Sequence, residues 1–212
     1  MIKNAAQQLS VANRERKWRL FLETIAPSPS TTLLNVGYTD REFSPADNLL
    51  EKRYPHPERI TALGIEEPTE YSRRYPAVKV VKYDGNRFPF PDKAFDVCWS
   101  NAVLEHVGGA QRQLLFLSEI ARVAHRAFVT TPNRYFPFEV HTLTPLLHYL
   151  PKNVFDRYLK LTGRSWASGS YMHLLGERDL RRLLDMAGCG GPRIVKNRLF
   201  GFTVDFVAVI GG

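Results

Sequence analysis

Residues 83 to 107 decide the fold: Tyr-Asp-Gly-Asn-Arg-Phe-Pro-Phe-Pro-Asp-Lys-Ala-Phe-Asp-Val-Cys-Trp-Ser-Asn-Ala-Val-Leu-Glu-His-Val. They run from an acidic loop (Asp84, Gly85, Asn86) through a proline-rich turn into an apolar strand from Phe95 to Trp99. The strand ends in small polar groups, Ser100 and Asn101, ahead of Leu104-Glu105-His106-Val107. In an open parallel sheet, ligands sit at the carboxyl ends of the strands. A carboxylate after one strand and a Ser-Asn pair after the next would therefore line one crevice.

Working outward from this block, strand and helix patterns alternate. An amphipathic helix is predicted from Asn4 to Ile25, within an N-terminal helical segment 1–26 closed by Pro27-Ser28-Pro29. Strands are predicted at Thr31 to Val36, Ile60 to Ile65, Val78 to Tyr83 and Ala127 to Thr130. A helix from Pro45 to Tyr54 is expected, because Ser44 can cap it and proline suits its first position. Thr69 to Arg74 reads as a short helix. Ala110 to Ala124 reads as a strong one, with Leu114, Leu115, Leu117, Ile120, Ala121 and Val123 on its buried side. Glu177 to Ala187 is a further helix stopped by Gly188, and Arg193 to Phe200 with Thr203 to Ile210 form a hairpin. Such alternation predicts an α/β protein with a parallel sheet covered on both faces.

The 83–107 block closely resembles the middle of class I S-adenosylmethionine-dependent methyltransferases of the small bacterial type 11 kind. In that family an Asp before the Phe-Pro-Phe-Pro turn holds the adenine amino group, and a run like Ser-Asn-Ala-Val-Leu-Glu-His follows the fourth strand. The resemblance covers Thr31 to Asn133 well and the C-terminal hairpin loosely. It implies a Rossmann-like three-layer sandwich with a seven-stranded sheet in the order 3-2-1-4-5-7-6, its last strand antiparallel. It also implies S-adenosyl-L-methionine as cofactor. One domain over 1–212 is expected, with residues 135–173 as a lid or substrate insertion after the fifth strand.

Carried over residue by residue, the resemblance places Asp84, Gly85 and Asn86 at the adenine, although Asp and Asn also favour a plain Asx-turn there. Glu66, at the end of the second strand, is the expected ribose ligand; an ordinary solvated loop carboxylate is the alternative. The backbone of Ser100, Asn101 and Ala102 falls near the methionine portion. After the first strand, Asn35, Gly37 and Tyr38 occupy the glycine-rich loop. The family usually has an acid followed by Gly-x-Gly-x-Gly; here Asn35 stands at the acid position and Gly37 is the surviving glycine, with Thr39 and Arg41 narrowing the pocket. Asn35 donates and accepts hydrogen bonds, but it cannot pair with the cationic amino group of the methionyl moiety.

His106 and His141 are the candidate bases, since an imidazole with an ordinary pKa of about 6.5 suits proton transfer near neutrality. For His106, a packed histidine in a strand-to-helix turn is the slightly favoured reading. The stretch Leu143 to Leu150 is expected to form a helix hairpin over the carboxyl edge of the sheet. Phe136, Phe138, Tyr149, Phe155 and Trp166 in this lid suggest a small or lipid- or sugar-like acceptor with apolar surface, or else make the lid's own small core.

Composition excludes other classes. No apolar run approaches the roughly 20 residues of a membrane span. Two cysteines, Cys98 and Cys189, make neither a disulfide framework nor a metal cage, and no metal site is expected. The polar N-terminus lacks an apolar signal core, which points to the cytoplasm. The formal net charge of +8 invites nucleic acid, but the basic residues are dispersed. An RNA methyltransferase lacks support from any Asn/Asp-Pro-Pro-Tyr/Phe run or Pro-Cys nucleophile. A non-catalytic, methyltransferase-like binding or scaffold protein is the other alternative, because of the altered glycine loop.

Overall fold

The computed structural model describes residues 2–139, 144–165, 168–169, 172–199 and 201–211. In chain order these form α1 (Ile2–Ile25), β1 (Leu33–Val36), α2 (Leu49–Arg53), β2 (Ile60–Gly64), α3 (Thr69–Arg74), β3 (Lys79–Lys82) and β4 (Phe95–Asn101). They continue with α4 (Ala110–Val123), β5 (Ala124–Pro132), β6 (Phe138–Glu139), β7 (Thr144–Pro145), α5 (Lys152–Leu161), α6 (Glu177–Met186), β8 (Arg193–Leu199) and β9 (Phe202–Ile210). The main sheet has seven strands in the order β3-β2-β1-β4-β5-β9-β8. With β8 and β9 counted as its sixth and seventh strands, this is the expected 3-2-1-4-5-7-6. β1 pairs in parallel with β2 and β4, while β9 runs antiparallel to β5 and β8.

Each central strand is apolar on both faces because helices cover both. Along β1, Leu33 joins one core layer while Leu34 and Val36 join the other, as the two-residue period requires. The first layer packs Trp18, Phe21 and Ile25 of α1, Leu50 of α2 and Tyr71 of α3 on the sheet. The second packs Leu117, Ile120 and Val123 of α4 against Leu180 and Leu184 of α6. Phe21 meets Trp99 edge-on at 4.9 Å between centroids, and Trp99 stacks on Phe128 at 5.1 Å. Such ring pairs add about 0.5–1.5 kcal/mol each beyond area burial.

A buried ion pair fastens α1 to the strand tips. Lys17 Nζ lies 3.2 Å from Asp205 Oδ1, with the two side chains 4% and 5% exposed. Lys17 also donates to Asn101 Oδ1 at 3.3 Å and Thr130 Oγ1 at 3.4 Å, and Asn13 donates to Asp205 Oδ2 at 2.6 Å. On the other face, Arg122 of α4 donates to the carbonyls of Phe88 and Phe90 at 3.0 and 2.7 Å, while Glu119 Oε2 accepts from the Phe88 amide at 2.7 Å. These bonds clamp the proline-rich turn.

Three expected elements differ. The helix expected from Pro45 begins only at Leu49, because the Asp47 carboxylate accepts from the amides of Phe43 and Ser44 and closes a turn there. Asn48 then takes left-handed backbone (φ 49°) before the helix starts. Where a hairpin of helices was expected at 143–150, the described residues from 144 on form the short strand β7 and a 3-10 turn at Leu147–Tyr149, with α5 following Pro151. β5 is longer than its apolar run, because it is paired along its length by β4 and β9. No helix among the described residues is long and apolar enough to cross a membrane.

Candidate functional site

The carboxyl tips of β1, β2 and β3 are stitched together. The Gly37 amide donates to Leu63 O at 2.8 Å, and the Tyr83 amide donates to Gly64 O at 3.0 Å. At Gly85 an added Cβ would lie 3.7 Å from Ile65 Cγ2, so the loops after β2 and β3 touch. Glu66 and Asp84 therefore leave neighbouring tips of one edge, and both are exposed. Asp84 accepts from the Asn86 amide and side chain at 2.9 and 2.8 Å, a rigid Asx-turn. These bonds hold its carboxyl below its ordinary pKa. Asn86 in turn accepts from Arg112 of α4. One oxygen of Glu66 accepts from the Asp40 amide at 3.3 Å.

The loop after β1 departs from a plain glycine turn. Gly37 has φ +97°, and a Cβ there would sit 2.3 Å from Val103 Cγ2, so glycine is required by backbone and by space. The close approach expected for a ligand is thus made by Val103. Tyr38 is not turned into the crevice. Its ring is buried beneath Gly64 and lies 4.6 Å from the Tyr71 ring, and its hydroxyl donates to Glu66 O at 2.5 Å. Burial, then the nearby Glu66, pushes its phenol up to about 12. Arg41 is exposed. Neither plugs the cleft.

At the tip of β4, Ser100 is buried, with its Oγ lacking a hydrogen-bond partner among the described residues. Asn101 is held by Lys17 and by the Thr130 hydroxyl at 2.7 Å. Ala102 adopts left-handed backbone (φ +58°), and its amide donates to Thr130 O at 3.0 Å. A non-glycine residue held there costs about 1–3 kcal/mol and marks a place where surrounding structure imposes a shape.

Beneath these tips lies a polar hollow of about 60 Å³, lined among others by Arg14, Asn35, Thr39, Asp47, Glu51 and Asn101. Asn35 Nδ2 donates to Glu51 Oε1 at 2.5 Å, and the Tyr71 hydroxyl donates to the same oxygen at 2.6 Å. Glu51 is 6% exposed, and its Oε2 has no hydrogen-bond partner among the described residues. Burial pushes its carboxyl up, opposed by the bonds from Tyr71 and Asn35. Arg14 pairs with Asp47 at 2.7 Å. Sequence reading missed Glu51 and Arg14, which sit on helices and belong to no motif.

His106 is half-buried, with Nε2 3.9 Å from Oε1 of the buried Glu105. Glu105 accepts from the Thr131 hydroxyl at 3.1 Å. His141 lies outside the described residues, as does Trp166.

A second cavity, about 530 Å³, opens between α4, α5 and α6. Leu114, Phe155, Met172 and Leu183 give it an apolar wall, and Arg134 and Arg182 reach it with no side-chain hydrogen bond or ion pair among the described residues. Its carboxylates are engaged: Asp179 accepts from the Gly176 amide at 3.1 Å, and Asp156 has an interaction partner. The size falls within the roughly 300–1,000 Å³ of small-molecule pockets.

Residues 48–127 match the methyltransferase domain family. Among curated proteins none matches the chain. Several solved structures share the fold. A SAM-dependent methyltransferase from Aquifex aeolicus aligns with TM-score 0.56 at 17% identity, over 92% of this chain and 88% of that one. The 1,6-didemethyltoxoflavin-N1-methyltransferase of Burkholderia thailandensis, solved with its substrate and S-adenosylhomocysteine, aligns with TM-score 0.59 at 15% identity, over 96% and 79%. The Haloferax volcanii putative methyltransferase, solved in complex with the Trm112 activator, aligns with TM-score 0.55 at 13% identity, over 93% and 90%.

Proposed function

We propose that this chain, a class I S-adenosylmethionine-dependent methyltransferase domain with S-adenosyl-L-methionine as its cofactor, catalyses in-line methyl transfer to a small, lipid- or sugar-like acceptor. The bound cofactor supplies an electrophilic methyl group on a sulfonium. The protein's task is then mainly alignment and exclusion of water, which can supply several kcal/mol, up to about 7–11 in ideal intramolecular cases. This accounts for a site with no triad or paired carboxylates among the described residues.

The observation that carries the reading is the contact between the tips of β2 and β3, which sets Glu66 and Asp84 along one edge, while Gly37, bonded to Leu63 of β2, lines the polar hollow. The donor set suits the cofactor. A hollow of about 60 Å³ has room for roughly four to six waters, the size of an amino-acid head, and its walls carry both signs of charge. Glu66 would hold the ribose hydroxyls with its remaining oxygen, and Asp84, with Gly85 and Asn86, the adenine amino group. Ile65, 63% exposed between them, offers the base an apolar surface. The Asn35, Gly37 and Tyr38 backbone, with Ser100, Asn101 and Ala102, would border the methionyl portion.

The acceptor is assigned to the larger cavity. Its apolar wall suits an apolar body, and the guanidinium groups of Arg134 and Arg182 suit an anionic or richly hydroxylated end. For a hydroxyl acceptor, His106 would take the proton, steadied by Glu105.

Calorimetric titration with S-adenosylhomocysteine tests the donor half. Measurable binding, weakened roughly tenfold or more by Asp84→Ala as expected for loss of a bond to a charged group, supports the reading. The closure of Val103 over Gly37 favours a second reading, a methyltransferase-like binding or scaffold protein, and absence of heat at millimolar ligand would select it.

A further inference from the structure

We propose that Glu51 supplies, from α2, the negative charge that Asn35 lacks at the tip of β1, so that the Asn35–Glu51 pair receives the α-ammonium of the methyl donor's methionyl head. The inference rests on the donor reading above and adds a residue that no sequence motif identifies.

Three observations carry it. First, Glu51 is buried at the wall of the hollow, with no ion pair to it among the described residues. A buried carboxyl without a cation is costly or neutral, and a cationic ligand resolves that state. Second, the hydrogen bonds from Asn35 and Tyr71 both fall on Oε1, which leaves Oε2 with no partner among the described residues. Third, Asn35 spends its NH2 end on Glu51. An amide so oriented keeps its carbonyl oxygen as the end that accepts from a ligand. The carboxylate thus polarises the amide: an ammonium in the hollow would meet the Asn35 oxygen, with the buried Glu51 carboxylate supplying the compensating charge. Arg14, in the same wall, provides a guanidinium for the carboxylate of the same amino-acid head.

The test uses two nucleosides on the intact chain. S-Adenosylhomocysteine carries the amino-acid head; 5′-methylthioadenosine shares the adenosine and lacks that head. Both are titrated calorimetrically against wild type, Glu51→Gln and the double variant Asn35→Asp/Glu51→Gln. The single variant should bind S-adenosylhomocysteine roughly tenfold or more weakly and leave 5′-methylthioadenosine within about twofold. The double variant moves the carboxylate to the other end of the same hydrogen bond and should recover most of that loss. Equal weakening of both ligands, no weakening, or no recovery in the double variant would overturn the proposal. Retained 5′-methylthioadenosine binding shows that the single variant is folded, and the double variant keeps the test alive if it is not. If wild type binds neither nucleoside, the donor reading falls and this inference with it. If wild type binds S-adenosylhomocysteine and Glu51→Gln binds it as tightly, this inference alone falls.

Discussion

Asn35 of β1 and Glu51 of α2 are joined by a 2.5 Å hydrogen bond between two buried side chains, at the place where the first strand hands over to its helix. The bond ties the sheet to the helix layer and sets a carboxyl group under the crevice. Burial raises the pKa of that carboxyl. Stability drawn from the neutral form is therefore complete below the ordinary glutamate pKa and lost as pH climbs through the raised value.

Glu51→Gln mimics the neutral form at every pH. The ligand-free variant should gain on wild type as pH rises from 5 to 8, by roughly 2–4 °C in Tm for each kcal/mol relieved. Thermal scans at the two pH values check this. A variant that instead loses ground at pH 8 would contradict the assignment of Glu51 as a destabilising buried acid.

Lys17→Met leaves Asp205 buried without its cation. The expected cost is about 3–5 kcal/mol, read from urea denaturation. Lys17→Met with Asp205→Leu should be far milder, since both charges are then gone.

Arg122→Ala releases the turn carrying Phe88 and Phe90. About 1.5–3 kcal/mol should be lost for the bonds to charged partners. The hydrogen bond from Arg122 holds the Glu119 carboxyl below its ordinary pKa. Its stabilising contribution is present above the ordinary value and disappears as pH falls through the lowered one. Wild type should therefore lose more stability than Arg122→Ala between pH 5 and pH 3.

His106→Gln should lower kcat by roughly a hundredfold or more with a hydroxyl acceptor and leave S-adenosylhomocysteine binding unchanged. An unaltered kcat would make His106 a packing residue.

Arg134→Gln and Arg182→Gln should each raise KM for an anionic acceptor by roughly tenfold and leave that for a neutral analogue unchanged. Equal effects on both analogues would remove the acceptor from the cavity between α4, α5 and α6.

Much of this architecture was legible from residues 83 to 107, because a buried parallel strand reads as an apolar run and its tip as small polar groups. Strand order came from the family resemblance, and the observed sheet agrees with it. Local turns were harder. Asp47 and Asn48 override the helix signal of Ser44-Pro45 through side-chain bonds to backbone and a left-handed residue, which no periodicity encodes. After β7, left-handed backbone at Leu146 (φ +57°) breaks the apolar run that suggested a helix. Tyr38 lay in a loop signal yet serves the core, because Gly64 leaves room for its ring. Glu51 was invisible for a different reason: its partner is sixteen positions away, a spacing set by the loop between β1 and α2 rather than by helix or strand repeat.

The central claim is tested most directly by a crystal structure of the chain soaked with S-adenosylhomocysteine. The account predicts difference density along the tips of β1 to β4, with Glu66 at the ribose hydroxyls, Asp84 at the adenine and the amino-acid head in the hollow beside Asn35 and Glu51. Density for the nucleoside anywhere else, or Val103 still seated on Gly37 with the hollow empty, would contradict it.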